Sequence, residues 1–219
     1  MTELELSALT AISPVDGRYA RHTAPLREHC SEYGLIRYRV KVEVEWFLFL
    51  AARPDIPELP ALTGTQEKLL RDISDAFGPD DAARVKEIEA TTNHDVKAVE
   101  YFVKERLEAS GDAALMAASE FVHFACTSED INNLAYGLML QAALKQALAP
   151  QMQAILAALK QLARDQAGLA MLSRTHGQAA SPTTLGKEMA NFVARLKRQR
   201  VALANTTFPG KRNGAVGNY

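Results

Sequence analysis

The sequence predicts an all-α fold, and three observations support this prediction. Apolar residues recur every three or four positions through most of the chain, which is the spacing of one helix face. Strict apolar–polar alternation, the pattern of a half-buried strand, occurs over residues 36–46, but Ile36, Val40, Val44 and Phe47 also keep helical spacing. Proline, glycine and short polar groups divide the periodic segments where helices are expected to begin and end.

The predicted helices are bounded by these local signals. They cover residues 36–51, 66–77, 80–90, 96–107, 113–125, 131–148, 152–163 and 182–203. Pro54 closes the first of them, because proline lacks the N–H that a helix interior needs. Asp95 is predicted to cap the fourth. The Gly111-Asp112 turn interrupts the pattern, and we predict a domain boundary there, with an N-terminal helical domain over residues 1–110 and a second domain over 111–219.

Helix starts in the second half carry sequence signals of their own. Thr127 with Asp130 three residues later resembles a capping box, and predicts the helix over 131–148. Pro150 predicts a kink or a new first turn. Ser181 followed by Pro182 predicts the last helix start, with serine at the cap and proline at the first position.

Composition indicates an ordinary globular protein. The 219 residues include 47% hydrophobic and 23% charged residues, with 25 Lys and Arg against 26 Asp and Glu. The net charge of −1 gives no electrostatic basis for binding nucleic acid or an anionic membrane. The cysteines at 30 and 126 form no disulfide framework, residues 1–12 lack a signal-peptide layout, and no apolar run is long enough to span a bilayer. We expect a soluble, cytoplasmic protein.

Three clusters of polar residues stand between the predicted helices. Each is denser in hydroxyl, amide, carboxyl or imidazole groups than a helical core requires. They are Thr91-Thr92-Asn93-His94-Asp95, Thr127-Ser128-Glu129-Asp130-Ile131-Asn132-Asn133 and Ser173-Arg174-Thr175-His176-Gly177-Gln178. A rigid helical frame can bring such loop residues together at one site.

The third cluster contains groups suited to acid–base chemistry. His176 can exchange protons near neutral pH. Arg174 can hold a carboxylate or phosphate, with Thr175 and Gln178 as supporting groups. Gly177 allows a ligand to approach the backbone. A lone histidine is more often structural, and on the residues alone both interpretations stay open.

The first two clusters also have a simpler interpretation as helix caps. Thr127 and Ser128 stand at a predicted helix N-terminus, where the same hydroxyls and free N–H groups can bind an anion. A capping turn equally explains Asn93, His94 and Asp95. Since His94 and Asp95 are adjacent rather than one helical turn apart, no metal site is predicted.

A further candidate follows the Asp-Gly turn at residues 16–17. Arg18 and Tyr19 can act as a phosphate clamp plus a ring, or form an ordinary surface pair. Gly210-Lys211 is not a phosphate-binding loop, because Asn205 occupies the position of its first glycine.

Four segments together resemble a known family. They are Asp16-Gly17-Arg18-Tyr19, Thr91 to Phe102, Phe124 to Asn133 and Ser173 to Gln178. In order and residues they are similar to the bacterial adenylosuccinate lyases, a family of the fumarase/aspartase superfamily, over essentially the whole chain. The Thr-Ser-x-Asp and Arg-Thr-His-Gly-Gln patterns are typical of the superfamily, and the extended forms of the two middle segments indicate this family. Ala179 departs from the proline that relatives often carry.

The resemblance implies a fold, a reaction and roles for single residues. The fold is an N-terminal helical domain followed by the first long helices of a central helical bundle. The reaction is the elimination of fumarate from adenylosuccinate, giving AMP, and from SAICAR, giving AICAR, in purine nucleotide biosynthesis and without a cofactor or metal. His176 is implied to be the general acid. The implied substrate-binding residues are Arg18, Tyr19, Asn93, His94, Asp95, Thr127 and Ser128, and the implied supporting ones are Arg174, Thr175 and Gln178.

The resemblance also implies a cytoplasmic homotetramer that binds a purine nucleotide, with each active site drawn from three subunits. The family's flexible Gly-Ser-Ser-x-Met-Pro-x-Lys-x-Asn loop, whose serine is taken to be the general base, is absent from this sequence. We therefore expect the N-terminal part of such an enzyme, with the general base outside this chain and no meaningful activity in the chain alone. The alternatives are a non-catalytic nucleotide-binding or assembly fragment, and a helical scaffold with well-capped loops.

Overall fold

The structure is a computed structural model that describes residue 5 and residues 7–217; residues 1–4, 6, 218 and 219 lie outside the described part. Ten α-helices account for most of this part, so the all-α prediction is confirmed. They are α1 (Ala20–Thr23), α2 (Arg27–Cys30), α3 (Glu32–Ala51), α4 (Gly64–Asp75), α5 (Pro79–Thr92), α6 (Asp95–Ala109), α7 (Ala113–Ala117), α8 (Ser128–Ala143), α9 (Ala149–Asp165) and α10 (Leu185–Ala204). The shorter elements are the 3₁₀ turns Ala24–Leu26 and Ser119–Phe121, a π-helical turn Leu144–Leu148, and the strands β1 (Ala170–Thr175) and β2 (Gln178–Thr184).

The described chain forms two compact units. The first comprises the described residues of 1–142 and 208–219, and the second comprises residues 143–207. None of the helices in the described part of the chain combines the length and the apolarity that a bilayer crossing requires.

Helix α3 lies at the centre of the first unit, packed against α2, α4, α5 and α6. The predicted apolar stripe is confirmed, since Ile36, Val40 and Phe47 are at most 1% exposed. Burying side chains of this size stabilises the fold by about 1.5–3 kcal/mol each. Burial extends beyond the stripe to Arg39 and Glu43, so α3 has almost no free face along its middle turns.

A second apolar cluster joins α3, α6 and α8 in the same unit. It consists of Tyr38, Val42, Val96, Ile131, Ala135 and Met139. The main cluster also continues past residue 110, because Leu115, Ala118 and Val122 belong to it. The predicted division into an N-terminal domain over residues 1–110 and a second domain over 111–219 stays a prediction.

The helix predicted over residues 113–125 is shorter than expected. Helix α7 ends at Ala117, and a 3₁₀ turn follows at Ser119–Phe121. His123 and Ala125 then have φ angles of 62° and 55°. A helix cannot continue through residues in the left-handed region, so this stretch forms a loop that leads into α8.

The second unit contains α9, α10 and a β-hairpin. Pro150 lies in the first turn of α9, so the predicted new first turn is confirmed. The preceding π turn ends where the Ala149 N–H donates to the carbonyl of Leu144. Helices α9 and α10 pack together, and Gly186 permits a close approach: a Cβ at this glycine would lie 2.4 Å from the carbonyl oxygen of Ala163.

The predicted helix start at Ser181-Pro182 is wrong. Both residues lie in β2, and Pro182 is paired with Leu172 of β1. A two-stranded ribbon tolerates proline because each strand has an edge without ladder hydrogen bonds. The helix begins instead at Leu185, where the hydroxyl of Thr184 accepts the Lys187 N–H at 3.1 Å.

Candidate functional site

The structure places the predicted site residues in both units. The hairpin of the second unit carries His176, Arg174, Thr175 and Gln178. The first unit carries Arg18, Tyr19, Asn93, His94, Asp95, Thr127 and Ser128.

The turn between α5 and α6 is a double cap. Asn93 ends α5 in the left-handed conformation, with φ at 52°. His94, rather than the predicted Asp95, is the N-cap of α6, and its Nδ1 accepts the Lys97 N–H at 3.2 Å. Asp95 occupies the first helical position instead.

The Asp95 carboxylate takes part in a contact that connects three helices through Arg39. It accepts from Arg39 of α3 at 2.5 Å, and Arg39 also donates to Oδ1 of Asn132 on α8 at 2.8 Å. The Arg39 side chain is only 5% exposed, so a single buried guanidinium holds the starts of α6 and α8 together. Burial alone raises the pKa of Asp95, but the Val96 N–H and Arg39 outweigh it, and the net pKa lies below its ordinary value.

The starts of α6 and α8 meet at Ser128. Its hydroxyl oxygen lies 3.5 Å from Nε2 of His94. The backbone N–H of Thr127 donates to Oδ2 of Asp130 at 3.0 Å, which is the reciprocal half of the predicted capping box. The structure thus brings the first two polar clusters into one neighbourhood at the N-termini of α6 and α8, where Asp95, Glu129 and Asp130 already place carboxylates in the first helical turns.

Asp130 fastens a distant part of the chain to this neighbourhood. Its side chain is 1% exposed and accepts from the Asn213 N–H at 3.1 Å and from Nζ of Lys211 at 3.3 Å. Asn133 holds Lys211 twice, donating to its carbonyl at 2.7 Å and accepting its N–H at 2.6 Å. Burial raises the pKa of Asp130, but the N–H donors and Lys211 outweigh it and leave the pKa below its ordinary value.

A cavity of about 500 Å³ lies beside this anchor within the first unit. It is bordered by α3, α8 and the chain around Pro209. The Arg212 guanidinium lies over the Trp46 ring at 3.4 Å from its centroid, on the cavity wall. None of the sequence-predicted site residues lines this cavity.

Arg18 and Tyr19 are exposed and contact each other. The guanidinium carbon of Arg18 lies 4.8 Å from the centroid of the Tyr19 ring. The Tyr19 ring is 47% exposed and so is open to a ligand. Their participation in a common site with His94 and Ser128 stays a prediction.

The third polar cluster forms a β-hairpin rather than the loop between helices that the sequence predicts. Thr175 and Gln178 are paired across the ribbon, which leaves His176 and Gly177 as a two-residue turn. Their φ angles are 52° and 74°, as a type I′ turn requires. Nδ1 of His176 lies 3.0 Å from the Thr175 hydroxyl oxygen, and the ring is exposed at the tip.

Sequence reasoning missed the buried charges of α3. Arg39 and Glu43 lie four positions apart, and apolar spacing alone presents them only as polar residues between apolar ones. A signal was present, because apolar residues occur at positions 36, 38, 40, 42 and 44 and so lie all around the helix. A helix that is apolar all round is buried, and charges on it need partners inside the protein.

Residues 5 and 7–217 contain no cluster of metal-ligating side chains. No group of three His, Cys, Asp or Glu side chains there is placed to hold a metal ion.

Comparison with known families adds an independent observation. The model of a family described as lyase matches residues 17–219, which is most of the chain. This chain belongs to the lyase family. Solved structures share its fold: a fumarate lyase from Mesorhizobium sp. BNC1 superposes with a TM-score of 0.67 at 20% identity, over 88% of this chain and 43% of the other. A 3-carboxy-cis,cis-muconate lactonizing enzyme from Pseudomonas putida gives a TM-score of 0.65, also at 20% identity, over 88% and 42%.

Curated relatives are much closer in sequence. The chain is 52% identical over 216 residues to an adenylosuccinate lyase of Haemophilus influenzae, 51% identical to one of Escherichia coli K12, and 50% identical to one of Legionella pneumophila. Each match covers 99% of this chain and 47% of the relative. The chain therefore spans about half the length of the curated relatives it matches.

Proposed function

We propose that this chain is part of an adenylosuccinate lyase, a carbon–nitrogen lyase of purine nucleotide biosynthesis. The proposed reaction eliminates fumarate from adenylosuccinate to give AMP, and from SAICAR to give AICAR. The observation that carries the proposal is the identity of 50–52% over 216 residues to enzymes named adenylosuccinate lyase. We propose a homotetramer in the cytoplasm as its complete form.

The elimination requires two groups that transfer protons, a general base and a general acid. A base removes a proton from the succinyl carbon, the electron pair forms the carbon–carbon double bond, and the carbon–nitrogen bond breaks. An acid then protonates the departing nitrogen. We assign the acid to His176, whose exposed ring at the tip of the hairpin is accessible to a substrate. The base lies outside this chain, and the mechanism calls for no cofactor.

The first unit supplies groups that suit an anionic substrate. The converging starts of α6 and α8 present His94, Thr127 and Ser128, with Asn93 and Asp95 in the adjoining turn. Donors at such positions bind carboxylate or phosphate oxygens and stabilise charge that develops in the transition state. We assign this neighbourhood, with Arg18 and Tyr19, to substrate binding, and Arg174, Thr175 and Gln178 to the support of His176.

A chimera tests whether the residues of this chain support the proposed reaction when the rest of an enzyme is present. In it, this chain replaces the matching 47% of the Haemophilus influenzae enzyme, and fumarate release from adenylosuccinate is measured. We expect turnover comparable to that of the intact Haemophilus enzyme, and His176→Ala should lower it by about 10²–10⁴-fold, the usual effect of losing a catalytic acid.

The control for His176→Ala is Gln151→Ala, a change at an exposed position of α9 in the same unit. It should leave turnover unchanged. Circular dichroism and light scattering establish that both variants fold and assemble. A folded chimera without activity contradicts the proposed function, and near-normal turnover in His176→Ala contradicts the role of this histidine.

A further inference from the structure

Helix α3 holds the segment before α8 at two points. Nδ1 of His123 lies 2.6 Å from Oε1 of Glu43, and the indole N–H of Trp46 donates to the carbonyl of Phe124 at 2.9 Å. Glu43 and Trp46 are three positions apart on α3 and so share a face. Both contacts act on the stretch of chain that leads directly to Thr127.

The held segment has an unfavourable backbone. His123 and Ala125 both have φ in the left-handed region, at 62° and 55°, where residues with side chains are uncommon. The Cys126 N–H donates to the carbonyl of His123 at 3.2 Å and closes the turn between them. Such backbone conformations persist only where contacts with the surrounding structure hold them in place. The two contacts from α3 are among the side-chain contacts that hold these conformations here.

Core packing does not account for Glu43. The residue is fully buried in the middle of α3, and its Oε2 has no hydrogen-bond partner in the described part of the chain. Its other oxygen contacts His123, whose side chain is 17% exposed. Burying a carboxylate with one partner is costly, whereas an apolar side chain of similar size would fill the same space without that cost.

We propose that Glu43 is a positioning residue. Through its hydrogen bond to His123 it fixes segment 123–126, and this sets Thr127 and Ser128 beside His94. The 3.5 Å separation between the Ser128 hydroxyl oxygen and Nε2 of His94 is the geometry that the segment maintains. The choice of adenylosuccinate as the substrate rests on the proposed function. The claim that Glu43 fixes segment 123–126 is independent of the substrate.

Three variants of this chain separate positioning from stability. Glu43→Leu removes the contact without leaving a buried charge. His123→Asn keeps an N–H donor near Glu43 and suits the left-handed backbone, which asparagine tolerates well. Glu45→Leu is the matched control, since Glu45 is exposed on the same helix and bridges to Arg71 at 2.5 Å.

Amide hydrogen exchange is the first measurement. Glu43→Leu should speed exchange of the amides of residues 123–128 by about tenfold and leave the amides of α4 and α5 unchanged, because only the held segment is released. His123→Asn and Glu45→Leu should leave both groups of amides unchanged. Unchanged exchange in Glu43→Leu, or faster exchange spread over the whole first unit, would overturn the proposal.

Steady-state kinetics of the chimera are the second measurement. Glu43→Leu should raise KM for adenylosuccinate by about tenfold while kcat changes by less than about threefold, and His123→Asn should leave KM unchanged. A purely structural role would instead reduce the active fraction and lower apparent kcat at constant KM, which would overturn the proposal. If the unmutated chimera is inactive but the exchange pattern is as expected, the proposed function fails and the hold of Glu43 on the segment stands.

Discussion

At the scale of single residues, the buried guanidinium of Arg39 determines how the candidate site is assembled. Its partners lie 56 and 93 positions away in the sequence, at Asp95 and Asn132. Two of the three polar clusters that the sequence marks are therefore joined by a residue that belongs to neither. An arginine suits this role because its fixed fork of N–H donors can serve two acceptors at once.

Arg39→Met should lower the free energy of unfolding by about 1.5–3 kcal/mol, the effect of losing hydrogen bonds to charged groups. The Asp95 side chain is 43% exposed, so water can hydrate the abandoned carboxylate and keep the loss within this range. The control is Arg37→Met on the same helix, where the ion pair with Glu28 is more exposed and should contribute less than about 1 kcal/mol. Urea unfolding measures both, and equal losses would contradict the role of Arg39.

The Glu43–His123 contact makes stability depend on pH. Burial lowers the pKa of His123, but the hydrogen bond and charge of Glu43 outweigh it, with Glu100 adding to and Lys97 opposing this effect, so the net pKa is raised. Burial also raises the pKa of Glu43, despite the opposing contact with His123. A group with a raised pKa contributes stability that is complete below its unfolded pKa and is lost as pH rises through the folded pKa.

The melting temperature of the chain should therefore fall as pH rises from about 6 to about 9, the range in which a histidine with a raised pKa loses its proton. His123→Asn keeps a donor but cannot titrate, so its decline over this range should be shallower. Calorimetry at matched ionic strength measures the melting temperature of both proteins at each pH. Taking the difference between the two proteins removes the contribution of the other histidines. Parallel curves for the two proteins would show that this contact does not titrate there.

At the scale of elements, helix ends were predicted well where their signals were local. Proline and cap residues act on their own turn, so the first turn of α9 at Pro150 follows from the sequence. The prediction failed at Ser181-Pro182 because a cap followed by proline is also compatible with an edge strand. Cross-strand pairing with residues 170–175 decided between the two.

Gly186 should be the most sensitive glycine of the second unit. In Gly186→Ala the new Cβ would lie 2.4 Å from the Ala163 carbonyl oxygen and 2.6 Å from Cα of Ala167, so α9 and α10 must separate. We expect a loss of about 1–3 kcal/mol, as for other overpacked positions. Gly168→Ala is the matched control, because nothing lies within 4 Å of a Cβ there. Thermal unfolding compares them, and equal stability of the two variants would contradict this packing.

At the scale of the whole molecule, each unit exposes large apolar side chains on long helices. In the first unit these include Tyr136 and Leu140 of α8, at 47% and 53% exposed. In the second they include Ile155 of α9 and Phe192 of α10, at 55% and 48%. Apolar faces of this kind are typical of surfaces that other helices cover.

We predict that the 219-residue chain alone associates into ill-defined oligomers and has no meaningful lyase activity. The bare helix faces favour association, and the proposed general base is not in the chain. Light scattering follows the size of the purified chain, and release of fumarate from adenylosuccinate measures activity. A uniform tetramer that turns over substrate at the rate of the Haemophilus enzyme would contradict this prediction.

The sequence by itself determined the features that depend on residues close together in the chain, namely the positions of helices and the motifs that indicate the family. Apolar spacing fixed the course of α3, and the Thr127 and Asp130 signal marked the start of α8. The polar motifs indicated an adenylosuccinate lyase, and the comparisons show that the chain belongs to the lyase family. Each of these signals acts within a few residues along the chain, so it is legible without the fold.

Only the tertiary structure decided which residues meet. It paired Arg39 with Asp95 and Glu43 with His123, and it placed His176 on a hairpin instead of a loop between helices. The physical reason is that a buried charge takes whichever partner the packing brings within hydrogen-bond distance, and that partner can lie anywhere in the sequence. The same holds for a strand, whose stability comes from its neighbour across the ladder rather than from its own residues.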